Sequence, residues 1–139
     1  MTATSEKPLV LCAETAAELM CPNVAVLPRH LSFPEAIGFF IDHNVTVAPV
    51  VGDRGETVGV LSVTDLLIHV RQSAASHKIV PATAESLMTP TIFSVSPDTP
   101  AEEVIADMIR SKVHHLFVAD RDGQIHGVVN TCDLLRFLR

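Results

Sequence analysis

Sliding the 139-residue sequence by 68 positions lays the chain on itself. Leu19-Met20-Cys21-Pro22 falls on Leu87-Met88-Thr89-Pro90, Gly55 on Gly123, Gly59 on Gly127, and Asp65-Leu66-Leu67 on Asp133-Leu134-Leu135. Residues 19–70 and 87–138 align as 52 pairs without a gap, and 14 pairs are identical. That is far above the handful that unrelated segments share. The chain is therefore a tandem duplication. A unit of about 50 residues is too small for a reliable core of its own, so the two copies are expected to pack together with pseudo-twofold symmetry.

Each copy reads as strand, helix, strand, strand, helix. A short strand is expected at 24–27 and again at 92–95. Ser32 and Glu35 predict a capping box with Pro34 in the first helical turn, and Thr99 and Glu102 predict the same with Pro100 leading the helix. The helices should run to about His43 and Ser111. Ala36, Ile37, Phe40 and Ile41, and then Val104, Ile105, Met108 and Ile109, follow the three-four spacing of one buried face on each helix. Strands at 45–51 and 57–61 flank the turn Gly52-Asp53-Arg54-Gly55. Strands at 113–119 and 125–129 flank Asp120-Arg121-Asp122-Gly123. A second helix begins near Ser62 and near Asn130. The expected layout is an N-terminal extension (1–16), repeat one (17–70), a linker (71–83) and repeat two (84–139). The fold class is α/β.

Composition narrows the function. Hydrophobic residues make up 47% and charged residues 19% of the chain, enough for a packed core. Aromatics are only 4%, so that core must be aliphatic. The formal charge of −6 argues against wrapping nucleic acid or coating an anionic membrane, both of which need dense Lys and Arg. It leaves room for a small anionic ligand held by local donors. Cys12, Cys21 and Cys132 form an odd, widely spaced set that suggests reduced thiols. No targeting or membrane-spanning segment is visible, so the expected location is the cytoplasm.

The ordered pieces resemble a pair of cystathionine-beta-synthase (CBS) domains. They are Leu19-Met20, the Val45-Thr-Val-Ala-Pro49-Val50 strand, and Gly59-Val-Leu-Ser62-Val-Thr-Asp65-Leu-Leu. The second copy repeats them as Leu87-Met88, Val113-His-His-Leu-Phe117-Val118, and Gly127-Val-Val-Asn130-Thr-Cys-Asp133-Leu-Leu. The resemblance spans roughly residues 17–139. It implies two β-α-β-β-α CBS repeats in one module, with no enzymatic activity. It also implies a regulatory sensor that takes an adenosine-containing ligand (AMP, ADP, ATP, NAD or S-adenosylmethionine) in the cleft between repeats.

In such modules an Asp six residues after the Gly holds the ribose, which points to Asp65 and Asp133. A carboxylate can accept both hydrogens of a cis-diol, and each such bond is charge-assisted. Ser62 matches the family's hydroxyl beside the phosphate, and Asn130 departs from it. The adenine wall comes from the opposite repeat, implying Ile92, Val113 and His115 for the Asp65 site and Val24, Val45 and Val47 for the Asp133 site. On Ser62 the resemblance ranks the Asp65 site above the Asp133 site. Phe117 stands where the first repeat has Pro49, and its ring either intrudes on the pocket or enlarges the core. Lys112, Arg29, Arg110 and Arg136 are the basic residues nearest these stretches.

A plainer role competes for the same residues. Ser62-x-x-Asp65 and Asn130-x-x-Asp133 both have the form of a helix cap, which needs no ligand. The alternative function is thus a ligand-free structural or protein-interaction module. His114 and His115 are strand neighbours facing opposite ways and do not share an ion easily, and no other histidine has ligand spacing, so no metal is expected. No nucleophile–base pair points to catalysis, and no cofactor is expected. The helix faces that carry Phe39, Phe40 and Ile41, and Leu66, Leu67, Ile68 and Val70, hold more apolar surface than one small core readily hides and predict a homodimer through helix faces. A target enzyme or transporter in trans is the implied partner.

Overall fold

A computed structural model describes residues 9–76 and 81–139. His77 and part of the expected linker and N-terminal extension lie outside the described residues. The elements in chain order are α1 (Ala16–Leu19), β1 (Leu27–Pro28), α2 (Phe33–His43), β2 (Val47–Val51), β3 (Thr57–Ser62), α3 (Val63–Ser76), α4 (Ala84–Leu87), β4 (Ser94–Val95), α5 (Ala101–Ser111), β5 (His115–Ala119), β6 (Ile125–Asn130) and α6 (Thr131–Leu134), with a 3₁₀ turn over Leu135–Phe137. The α/β class and the doubled β-α-β-β-α order are both present. The opening strands are only two residues long, and Val24, Ile92, Val45 and Val113 lie in the segments that precede strands.

The described residues form two compact units. One is Val24–Phe93, and the other joins Ser94–Arg139 to the described part of Met1–Asn23. In the first unit β1 pairs parallel with β2 and β2 pairs antiparallel with β3. In the second, β4, β5 and β6 repeat that order and register: Leu27 opposite Val50 becomes Val95 opposite Val118. Even the irregularity recurs, between Val50 and Val51 and between Val118 and Ala119. Gly55 and Gly123 close the β-turns at φ 80° and 81°, a region only glycine enters cheaply. Asn44 and Lys112 end α2 and α5 in left-handed conformation at φ 53° and 54°.

Each unit has its own core. Leu27, Ala36, Phe40, Ala48, Val50, Leu61, Leu66 and Ala84 fill the first. Ala16, Leu19, Ala101, Val104, Met108, Leu116, Val118 and Val129 fill the second. Where the first uses Ala36, Phe40 and Ala48, the second uses Val104, Met108 and Leu116. Two small positions grow and one large position shrinks between the copies, so each core is filled by its own set of side chains.

The units do not coincide with the repeats as the chain orders them. Thr89, from the start of the second repeat, exchanges two backbone hydrogen bonds with Val60 in the first unit, both 2.9 Å. Cys21, from the start of the first repeat, does the same with Val128 in the second unit, at 2.8 and 3.0 Å. The opening segment of each repeat thus completes the other repeat's unit.

The repeats also differ at their last helices. α3 runs for 14 residues, whereas α6 yields after four to the 3₁₀ turn. Leu138 is already extended and bridges to Leu11, and Val10 and Arg139 exchange backbone hydrogen bonds at 2.9 and 3.0 Å. Pairing with the N-terminal arm satisfies backbone groups there that a longer helix would have satisfied internally.

Candidate functional site

Ser62 and Asp65 sit where β3 passes into α3. The Val63 amide donates to the Thr46 carbonyl at 2.9 Å, which ties the helix start to the residue just before β2. Ser62 donates to Asp65 Oδ2 twice, from its backbone N–H at 2.9 Å and its hydroxyl at 3.0 Å. The Asp65 amide donates back to Ser62 Oγ at 3.2 Å. This is a complete capping box, and both residues are half-buried. Oδ2 accepts two hydrogen bonds, while Oδ1 has no partner among the described residues.

The second copy places the same residue pair differently. The Thr131 amide donates to the His114 carbonyl at 2.9 Å, matching Val63 and Thr46. Asn130 Oδ1, however, accepts from the Cys132 amide at 2.9 Å, so Asn130 caps the helix alone. The expected reciprocal arrangement with Asp133 does not form. An amide oxygen on the longer Asn side chain reaches the second helical N–H directly, and Asp133 is left out. Its nearest charged partner is Arg136, with Nη1 at 3.8 Å from Oδ1.

The predicted cap of α5 is also different. Pro100 occupies the cap position with no side-chain bond, and the Thr99 hydroxyl accepts instead from the Ser96 amide at 3.1 Å. Pro100 fixes the entry angle, and Thr99 is drawn into the preceding turn. The Ser32–Glu35 box forms as expected, with bonds of 3.3 and 3.0 Å.

Within the first unit, Val47 lies opposite Ser62 in the β2–β3 register, and Ile92 follows the Thr89 bridge. Within the second, His115 lies opposite Asn130. His115 is half-buried, and burial followed by the neighbouring His114 charge holds its pKa below the usual imidazole value. Phe117 is 2% exposed and sits on the sheet face away from Leu116 and Val118, edge-on to His115 at 6.0 Å between centroids. The ring is therefore covered without joining the unit's core cluster. Pro49 is equally buried at the matching place.

The basic residues divide sharply. Arg29 makes a two-pronged pair with Asp53 (2.8 and 3.3 Å) and a further bond to Glu85 at 3.0 Å, and His30 adds to Asp53 at 2.9 Å. These bonds raise the Arg29 pKa and lower that of Asp53. Arg110 pairs with Asp107 on its own helix. Arg136 is 80% exposed and only loosely paired. Among the described residues, no group of three or more His, Cys, Asp or Glu side chains converges on a metal position. No helix there is long and apolar enough to cross a membrane.

The Thr46 and His114 carbonyls, which anchor the two helix starts, escaped the sequence reading, since a backbone acceptor leaves no trace in residue type. Open apolar grooves run between the helices. One of about 490 Å³ includes Ile37, Ile41, Leu67 and Val70. Its counterpart of about 350 Å³ includes Ile105, Ile109, Lys112 and Leu134. Phe40, expected on the buried face of its helix, is a core residue at 5% exposure, as is Leu66, whereas Ile41 and Ile109, expected on the same buried faces, are each 72% exposed.

The family model for the CBS domain matches residues 16–72 and again residues 84–139. The chain belongs to the CBS-domain family. CBS-domain proteins are typically regulatory and non-catalytic, and this chain is a tandem pair of such domains. CBSX2 of Arabidopsis thaliana, solved in complex with AMP, is 28% identical with a TM-score of 0.75, over 89% of this chain and 95% of that one. The cytosolic domain of the Mg2+ channel MgtE, solved with ATP, is 25% identical with a TM-score of 0.73, over 88% of this chain and 48% of that one. The gamma-3 subunit of 5'-AMP-activated protein kinase from Sus scrofa is 31% identical over 121 residues, 84% of this chain. This chain spans only 23% of that subunit's length. CBS relatives of this protein thus bind adenosine-containing ligands.

Proposed function

We propose that this CBS pair is a cytoplasmic regulatory sensor for an adenosine-containing ligand. The ribose is held by Asp65 or Asp133, and the adenine by residues of the other repeat: Ile92, Val113 and His115, or Val24, Val45 and Val47. The observation that carries the reading is the Asp65 carboxylate. Its Oδ2 is fixed by two bonds from Ser62, a third bond returns from the Asp65 amide to the Ser62 hydroxyl, and Oδ1 remains for a ligand hydroxyl. A pre-set acceptor loses little freedom when it binds. The AMP and ATP complexes of the two related structures support the ligand class. Output passes to a target enzyme or transporter in trans, and two copies pair through the helix grooves. A thermal-shift panel of AMP, ADP, ATP, NAD and S-adenosylmethionine tests the reading, because a ligand that binds only the native state raises its melting temperature. No shift with any of the five, at millimolar ligand, would sink it.

The same box favours a second reading, a ligand-free interaction module. Ser62 and Asp65 complete each other as a helix cap, which explains both residues without a ligand. The panel separates the two readings.

A further inference from the structure

We infer that Arg136 makes the Asp133 half-site selective for phosphorylated ligands, and that the Asp65 half-site lacks this selectivity. The inference rests on the reading above, that these aspartates hold the ribose. The duplication supplies an internal control. At the 68-residue offset Arg136 falls on Ile68, so one helical turn beyond the aspartate one copy carries a cation and the other an exposed alkyl group.

The geometry separates the copies further. Asp65 Oδ2 already accepts two hydrogen bonds, whereas Asp133 accepts none from its cap. Arg136 Nη1 stands 3.8 Å from Asp133 Oδ1, beyond hydrogen-bond length, and the guanidinium is 80% exposed. Neither group is committed to the other. Arg29 and Arg110, by contrast, are already held by carboxylates.

A carboxylate beside an uncommitted guanidinium offers two complementary functions. The carboxylate accepts from a cis-diol, and the guanidinium donates to phosphate oxygens, a pairing its planar fork suits. A nucleoside monophosphate carries both partners about one sugar apart. Adenosine carries only the diol, and S-adenosylmethionine adds a positive sulfonium that the guanidinium repels. Ile68 offers nothing to a phosphate.

Calorimetric titration of the full chain with AMP and with adenosine tests this. Arg136→Gln should weaken AMP by about tenfold, the scale of one charge-assisted contact, and leave adenosine unchanged. Raising the salt should shrink the wild-type preference for AMP, since an exposed charge pair is screened. An AMP-to-adenosine ratio that Arg136→Gln leaves intact overturns the inference, as does an equal loss of both ligands. Should circular dichroism show that variant unfolded, Ile68→Arg decides: a raised AMP preference supports the inference and an unchanged one overturns it. Wild-type protein that binds neither compound overturns the inference, whereas only failure of all five ligands in the thermal-shift panel overturns the adenosyl reading itself. Adenosine binding with an unaltered ratio overturns only the role of Arg136.

Discussion

Met20 lies directly over Gly127: a Cβ on that glycine would sit 2.5 Å from the methionine sulfur and 2.8 Å from the Cys21 carbonyl oxygen. The same contact recurs 68 residues away in the opposite direction. A Cβ on Gly59 would meet the Met88 sulfur and the Thr89 carbonyl oxygen, each at 2.6 Å. A methionine can swing aside, but the carbonyls are held by the two-bond bridges to Val60 and Val128. Gly59→Ala and Gly127→Ala should therefore each cost about 1–3 kcal/mol, the scale of core overpacking. Gly38 is the control: it lies inside α2, and a Cβ there would meet nothing within 4 Å. Gly38→Ala should stabilise by about 0.5–1 kcal/mol, the helix preference for alanine. Urea denaturation of the three variants checks both signs.

The two aspartates should behave differently when removed. Asp65→Ala breaks the box at the start of α3 and should lower stability, and Ser62→Ala should cost about 1 kcal/mol as a lost cap. Asp133→Ala removes no cap bond and should leave the denaturation midpoint almost unchanged. In ligand titrations Asp65→Ala should lose about tenfold or more, since each charge-assisted hydrogen bond contributes roughly 1.5–3 kcal/mol. Equal nucleotide binding by wild type and a folded Asp65→Ala would remove Asp65 from the ribose site.

The exposed apolar rows predict the assembly. Ile41 and Leu67 are 72% and 62% exposed on neighbouring helices of the first unit, and Ile109 and Leu135 are 72% and 68% exposed in the second. Helix faces of this kind are expected to cover one another in a dimer. Light scattering should give twice the chain mass of 15.0 kDa, and Leu67→Glu or Ile41→Lys should return it to a monomer. A wild-type particle of monomer mass at micromolar concentration would contradict this.

Stability should fall in two steps as the solution is acidified. Burial keeps the folded His115 pKa below its unfolded value of about 6.5. The unfolded chain therefore binds more protons in that window, so stability is complete above about pH 6.5 and declines as pH drops toward the folded pKa. Asp53, Asp120 and Glu35 are lowered by their hydrogen bonds, from Arg29, His126 and Ser32 first in each case. Their share is present above their ordinary values near pH 4 and is lost below them. His115→Gln should erase the upper step and keep the lower one, as read from melting temperature against pH. A variant that keeps both steps would show that His115 is not the group responsible.

The duplication was legible as residue identity at a fixed offset, and helices α2 and α5, the glycine turns and the Ser32 cap were legible because each is set by neighbours within about ten positions. Apolar spacing chooses the buried face of α2 and α5, and Gly55 and Gly123 are demanded by a positive φ that other side chains resist. The Ser62–Asp65 pair was legible too, as a pattern with two meanings.

Only the tertiary structure decided what lies beyond that range. Leu19-Met20 and Leu87-Met88 read as the openings of their own repeats, yet each packs into the unit of the other, since the glycine that accepts the methionine is the one across the duplication. Ile41 and Ile109 read as buried and are exposed, while Phe40 and Met108 beside them are core, because the apolar stripe is wider than the face a helix can bury and packing chooses among its members. The last helix of the second copy gives way where the N-terminal arm supplies backbone partners from more than 120 residues away in sequence. Asp65 and Asp133, identical in type and offset, part company through one neighbouring atom: a serine hydroxyl returns to the aspartate, and an asparagine oxygen stops at the amide of Cys132.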